Sequence, residues 1–466
     1  MDIKKNYKRS TAVFYTCGTC NLQCRYCQID KNPILLDIDK KLEESFKGDY
    51  YINRLKQYFT KGQLTRIETW GGEPFLKMHR IYPLLHQIID YFPFFKNMYS
   101  STNFSYSFWN DEFFGLMDQF NQYPYRDFIY ELQLSCDGPE YINDAGRGNG
   151  VTQKCIENFD KMIEELQKGR LPENVTLIIM LKGTWDNDTI NKLCDKQKLI
   201  EFFQFYEDNF IEKIDKLNLS NVQIELTIPN TAVPSPVTIE EGKIFAELCK
   251  LTREIERENE QQHYFKYYKT ITPFHNNLCQ DCLTYKYSEH TCGSGSSMVG
   301  FLPDNMMSIC HEGFTELVKE YKELVKESDR DQVGSITFNK FVNTNKLKLC
   351  VTDEGYAEHE RQMDYFGYEG TCARLSIITN QILILALAGQ IDPIFQDQQI
   401  ALKGAIFIQS HGAYCLKDNF NKTGSIMPIP MGMLKLLLNG AYKYIQEGEM
   451  KGILKIWPEV EDQNDF

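Results

Sequence analysis

The first half of the chain alternates between short strand-like runs and longer helix-like ones. Apolar or β-branched runs occur at Thr11–Thr16, Leu64–Trp70, Met98–Asn103, Ile129–Cys136, Val175–Leu181 and Val222–Ile228. Between them lie segments of helical period, at about Leu42–Phe59, Met78–Tyr91, Asn110–Phe120, Thr152–Gln167 and Lys196–Leu217. Strand followed by helix, repeated, predicts an α/β fold with a parallel sheet under covering helices. Six strands are enough for a partial (β/α)6 barrel of the TIM type and too few for a closed eight-stranded one. A doubly wound open sheet is the alternative.

Three prolines within Pro229–Val237 end this region at residue 228. Thr238 to Glu241 has capping-box spacing and leads into a charged helix ending near Gln262. These readings divide the chain into a barrel at 8–228, a linker and bridging helix at 229–275, a cysteine-containing segment at 276–314, and a mostly helical region at 315–466. Its longest apolar stretch, Ile377–Ala388, is too short to cross a bilayer, which takes about 20 residues. The N-terminal MDIKKNYKRS has no apolar core, so no signal peptide is read there and the expected location is cytoplasmic.

In a reducing compartment, clustered cysteines bind metal or do chemistry more often than they pair. Of 15 cysteines, Cys17, Cys20, Cys24 and Cys27 fall within eleven residues, and Cys279, Cys282, Cys292 and Cys310 form a second group. Thiolates suit iron–sulfur clusters or zinc. The first group begins where strand one ends. Trp70-Gly71-Gly72-Glu73-Pro74 follows strand two, Asn103 ends strand three, and Ser135-Cys136-Asp137-Gly138 ends strand four. In parallel βα folds, chemistry collects at those strand ends. The net charge of −13 disfavours nucleic acid as a partner.

With these residues the chain resembles the radical S-adenosylmethionine (radical SAM) superfamily over about residues 10–228. Cys20, Cys24 and Cys27, with aromatic Tyr26 before the last, match the cluster loop of that family. Gly71, Gly72, Glu73 and Pro74 match its GGEP motif. The resemblance implies a partial barrel and a [4Fe–4S] cluster on the three cysteines. It also implies S-adenosyl-L-methionine as the second cofactor and a one-electron reductant of flavodoxin or ferredoxin type. Glu73 is implied to hold the methionine amine. By the same similarity Asn103, Ser135 and Asp137 line the cofactor site, and Arg147 pairs with the cofactor carboxylate.

The second cysteine group resembles the SPASM or shorter twitch extension. Twelve residues separate Cys292 from Asn305 and four separate Asn305 from Cys310. Asn305 stands where the family has glycine, and asparagine tolerates the left-handed conformation best after glycine. The resemblance implies one auxiliary [4Fe–4S] cluster held by Cys282, Cys292, Cys310 and Cys372. Cys279 is an alternative first ligand and Cys350 an alternative last one. A zinc site on Cys279, Cys282, Cys292 and Cys310, or no metal, is the competing reading. Glu312 and His311, beside Cys310, are candidate proton acceptors.

The expected function is therefore radical modification of a peptide or protein, as in ribosomal-peptide or sulfatase-type maturases. The same barrel supports a radical enzyme acting on a small molecule, nucleotide or nucleic acid, the last opposed by the acidic balance of the chain. A non-catalytic metal-binding or redox protein is the remaining alternative.

Overall fold

The computed structural model describes residues 9–27, 29 and 34–226. It also describes 230–231, 248, 251, 255, 297–308 and 350–351. The bridging helix of 229–275, most of 276–314 and the region from 315 onward thus lie almost wholly outside the described residues. The predicted strands are present as β1 (Thr11–Cys17), β2 (Arg66–Gly71), β3 (Asn97–Thr102), β4 (Phe128–Ser135), β5 (Val175–Lys182) and β7 (Val222–Leu226). They pair in parallel in the order in which they occur in the chain. A short β6 (Thr184–Trp185) pairs with β8 (Asn230–Thr231), in a second compact unit.

Register explains which side chains are buried. Ala12, Ile67, Met98, Tyr130, Leu177 and Val222 form one row across the strands. All six are buried. Phe113 and Phe120 of α4 (Trp109–Phe120) lie with ring centroids 6.1 and 6.3 Å from Tyr130. Each such buried side chain stabilises the fold by roughly 2 kcal/mol.

The opposite face is polar. Its neighbouring row runs Val13, Glu68, Tyr99, Glu131, Ile178 and Gln223. Arg66 donates to both oxygens of Glu131 at 2.7 and 2.9 Å and to Glu68 at 2.9 Å. Tyr99 donates to Gln133 at 2.7 Å. These pairs satisfy the charges of Arg66, Glu68 and Glu131. At the β1 end, Leu35, Ile38 and Leu42 of α1 (Ile34–Phe46) cover Val13 and Tyr15.

Several helices differ from the sequence-based expectation. The segment read as Leu42–Phe59 is two helices, α1 and α2 (Tyr50–Tyr58), parted around Gly48. Pro74–Ile81 forms a 3-10 turn before α3 (Tyr82–Tyr91). Lys196–Leu217 passes through a π-helical turn at Glu207–Ile211, between α8 (Lys196–Tyr206) and α9 (Glu212–Leu217). A short α5 (Glu140–Arg147) after Pro139 carried no periodic signal long enough to read.

Beyond the six strands, β9 (Met298–Phe301) adds to the free edge of β1 in parallel, and β10 (Met307–Ser308) returns antiparallel to it. The turn between them places Asp304 and Asn305 at φ +58° and +57°. Two consecutive left-handed residues suit such a tight return, and Asn and Asp adopt them at least cost. No helix among the described residues is long and apolar enough to cross a membrane.

Candidate functional site at the strand ends

Parallel strands put the ends of β1 to β5 on one edge of the sheet, so the residues singled out there become neighbours. Two backbone hydrogen bonds seat the cysteine loop on the glycine pair. Gly72 N donates to Cys17 O at 2.9 Å and Glu73 N to Thr19 O at 2.8 Å. A Cβ on Gly71 would lie 2.2 Å from Cys17 O, and one on Gly72 would lie 2.2 Å from Thr19 O. The glycines are therefore required by close backbone approach.

The root of the loop is clamped from the side. Gly18 N donates to Asp39 Oδ1 at 2.9 Å. Buried Arg80 grips both oxygens of Asp39 at 2.8 and 3.0 Å and reaches Thr16 O at 3.1 Å. Removing Asp39 leaves Arg80 with Glu43, 2.8 Å from Nη2, and Thr16 O, and forfeits a bidentate charged contact, a loss of about 2 kcal/mol. Asp39→Ala is expected to lower urea stability by that amount and to speed iodoacetamide alkylation of Cys20 and Cys24 below the unfolding transition. An unchanged alkylation rate would refute the clamp.

The far end of the loop meets α5. Arg25 N donates to Gly146 O at 2.9 Å, and the Tyr26 hydroxyl donates to Asp137 Oδ2. Arg147 holds the same carboxylate through Nε at 3.0 Å and Nη2 at 2.8 Å. Asp137 is buried, with its backbone N–H on Asn143 Oδ1 at 2.9 Å. Ser135 ends β4 half-buried on the polar face. Tyr206 supports this corner by donating to Cys136 O at 2.6 Å.

Glu73 is 1% exposed. Its Oε1 accepts from Phe75 N at 3.0 Å and Thr102 Oγ1 at 2.6 Å, and its Oε2 from Asn103 N at 2.7 Å. No cation among the described residues forms an ion pair with it. Burial pushes its carboxyl up to about 7, against the pull of those three hydrogen bonds. An enclosed carboxylate lacking a counter-charge suits a cationic ligand such as an organic ammonium.

The thiols differ among themselves. Cys17 is buried and bonded to Thr19, and burial pushes it up to about 11, so it stays a thiol. Cys20 accepts from Leu22 N at 3.4 Å and Asn103 Nδ2 at 3.5 Å. Cys27 is exposed, and no disulfide joins any of these cysteines. Among the described residues no three His, Cys, Asp or Glu side chains already converge as a metal-holding group. The donor set nevertheless fits an iron–sulfur cluster: three thiols on one short loop, with N–H donors aimed at one sulfur.

Cys20, Cys24, Cys27, Tyr26, Gly71, Gly72, Glu73, Pro74, Asn103, Ser135, Asp137 and Arg147 all fall on this one edge or on the segments that follow it, Arg147 at the end of α5. Cys282, Cys292, Cys310, Cys372, His311 and Glu312 lie outside the described residues. Sequence reasoning missed Asp39, Arg80, Asn143 and Tyr206. The Arg80–Asp39 contact spans 41 residues and no motif links the two. Asn143 sits six residues past Asp137, on the helix that went unread.

No protein-family model matches the chain, and no curated protein matches it. Among solved structures, "Native anSMEcpe with bound AdoMet and Cp18Cys peptide" is 13% identical, with a TM-score of 0.44 over 94% of this chain and 98% of that one. "Native anSMEcpe with bound AdoMet" is also 13% identical, with a TM-score of 0.43 over 92% and 99%. Likeness at this level assigns neither family nor activity.

Proposed function

We propose that the chain is a radical SAM enzyme acting on a peptide or protein. The observation that carries the reading is the seating of the three-cysteine loop, backbone to backbone, on Gly71 and Gly72, beside the unpaired buried Glu73. In this reading Cys20, Cys24 and Cys27 hold a [4Fe–4S] cluster, and Glu73 holds the amine of S-adenosyl-L-methionine. When bound, the cluster supplies the electron that splits S-adenosylmethionine into methionine and a 5′-deoxyadenosyl radical able to take hydrogen from a substrate.

The residues of the chain do the positioning. Asn103 joins the loop to β3 through Cys20 and through Asn21 Oδ1 at 3.0 Å. The Asp137–Arg147 pair orders Tyr26, so the segment from Cys24 to Cys27 is tied to β4. Arg147 Nη1 is the guanidinium nitrogen left for the cofactor carboxylate. Ser135 lines the same pocket.

The peptide half of the reading is supported by the second cysteine group. It would hold one auxiliary [4Fe–4S] cluster on Cys282, Cys292, Cys310 and Cys372, with Glu312 or His311 as proton acceptor. A flavodoxin- or ferredoxin-type donor would supply electrons.

Anaerobic reconstitution tests the proposal. Each [4Fe–4S] site adds four irons, so the wild type is expected to carry about eight irons per chain and Cys20→Ala/Cys24→Ala/Cys27→Ala about four. With dithionite, the wild type is expected to release 5′-deoxyadenosine and the triple variant none. Equal iron in both proteins, or no cleavage by the iron-loaded wild type, would sink the reading.

A further inference from the structure

Along the polar face Arg66 is engaged by Glu68 and Glu131, and near the site Arg147 by Asp137. Lys182, at the site-bearing edge, has no such partner among the described residues. It is the last residue of β5, in register with Ser135 of β4. The strict buried–intermediate alternation along Val175–Lys182 places it with Thr176, Ile178 and Met180 on the polar face. Its backbone carbonyl is engaged by Cys136 N at 3.1 Å, which fixes the position of the residue. Its side chain has no hydrogen bond or ion pair among the described residues, and burial alone bears on it, lowering its affinity for a proton.

We infer that Lys182 binds a carboxylate of an incoming ligand. An ammonium held partly out of water without an acceptor is costly, and a carboxylate arriving there recovers a charge-assisted hydrogen bond. Two sources have this chemistry: an acidic side chain or C-terminus of a peptide, and the carboxylate of the cofactor. The proposed reading already gives the cofactor carboxylate to Arg147 Nη1, which leaves Lys182 to the substrate: an acidic peptide, its carboxylate on Lys182. The inference rests on the radical reading for the identity of the site, but not for the presence of an anion contact.

The test uses the full chain. Lysines are acylated with N-hydroxysuccinimidyl acetate and Lys182 is followed by mass spectrometry. N-acetylglutamate amide, a blocked acidic residue, is expected to slow labelling of Lys182 severalfold, and uncharged N-acetylglutamine amide to leave it unchanged. S-adenosylmethionine forms the second arm. Protection by it alone would assign the carboxylate to the cofactor and overturn the substrate assignment. Protection by neither, or equal protection by the uncharged amide, would overturn the site. Lys182→Met is expected to weaken N-acetylglutamate amide binding about tenfold, with Lys182→Arg restoring most of it. Reductive cleavage of S-adenosylmethionine by the wild type is assayed separately. Its absence would count against the radical reading and leave the labelling result standing.

Discussion

Gly72→Ala is expected to unseat the cysteine loop while leaving the sheet folded. The new methyl carbon would sit 2.2 Å from Thr19 O and 2.5 Å from Thr19 C. Both are backbone atoms, so no side chain can swing aside. Either β2 moves away from β1, which breaks the register from Thr11↔Arg66 onward, or the loop lets go of Gly72 and Glu73. The second route is cheaper, since it forfeits two backbone bonds and spares the sheet.

We expect a loss of about 4 kcal/mol, at the upper end for a single substitution. That is a large share of a total stability of about 5–15 kcal/mol. Iron content after reconstitution should fall to the level of the triple-cysteine variant, because Cys20 directly follows the residue whose carbonyl is displaced. Gly62→Ala is the control: the nearest atom to its Cβ is a Phe94 ring carbon at 3.9 Å, and a change within about 0.5 kcal/mol is expected. Chemical denaturation and iron analysis check both. A Gly72→Ala protein with wild-type stability and iron would mean that the close approach does not exist.

What was legible in the sequence was whatever repeats with a short period. The rows beginning Ala12–Ile67–Met98 and Val13–Glu68–Tyr99 follow from two-residue alternation, so six parallel strands could be read, while their order stayed open between a partial barrel and a doubly wound sheet. The site was legible where chemistry and strand ends coincide, at Cys20 to Cys27, at Gly71 to Pro74 and at Asn103. The break between α1 and α2 depends on one glycine inside a continuous apolar pattern, and that pattern outweighed it. Asp39, Arg80 and Lys182 were not legible for another reason. Their roles depend on which partners tertiary structure supplies or withholds. A lysine ending a strand is unremarkable until its side chain proves to make no hydrogen bond or ion pair among the described residues.

The buried carboxyl of Glu73 gives the second large effect, because its proton affinity couples folding, pH and ligand binding. Its folded value of about 7 stands above the unfolded value of 4.5. Between those limits the native chain keeps a proton that the unfolded chain has released. Unfolding free energy therefore falls as pH rises through this window, by about 1.4 kcal/mol per unit and about 3 kcal/mol across it, and levels off above pH 7. Glu73→Gln removes the titration, so the variant should lose this slope, while its amide NH2 faces the Phe75 or Asn103 N–H and forfeits one accepted hydrogen bond.

Binding is expected to move the other way. An ammonium ligand takes the ionised carboxylate, so the affinity of the wild type for S-adenosylmethionine should drop about tenfold per pH unit below 7. Glu73→Gln should bind about a hundredfold more weakly at about pH 8, the cost of a charged hydrogen-bonded contact, with little dependence on pH. Urea denaturation from about pH 5 to 8 and titration calorimetry measure the two halves. If the stability slope persists in Glu73→Gln, another group carries the raised value. If the slope vanishes while S-adenosylmethionine binds undiminished, Glu73 titrates as described but does not hold the amine. Only the paired outcome, a lost stability slope together with weaker binding, identifies a carboxylate buried at a cost to folding so that a cation can be bound there.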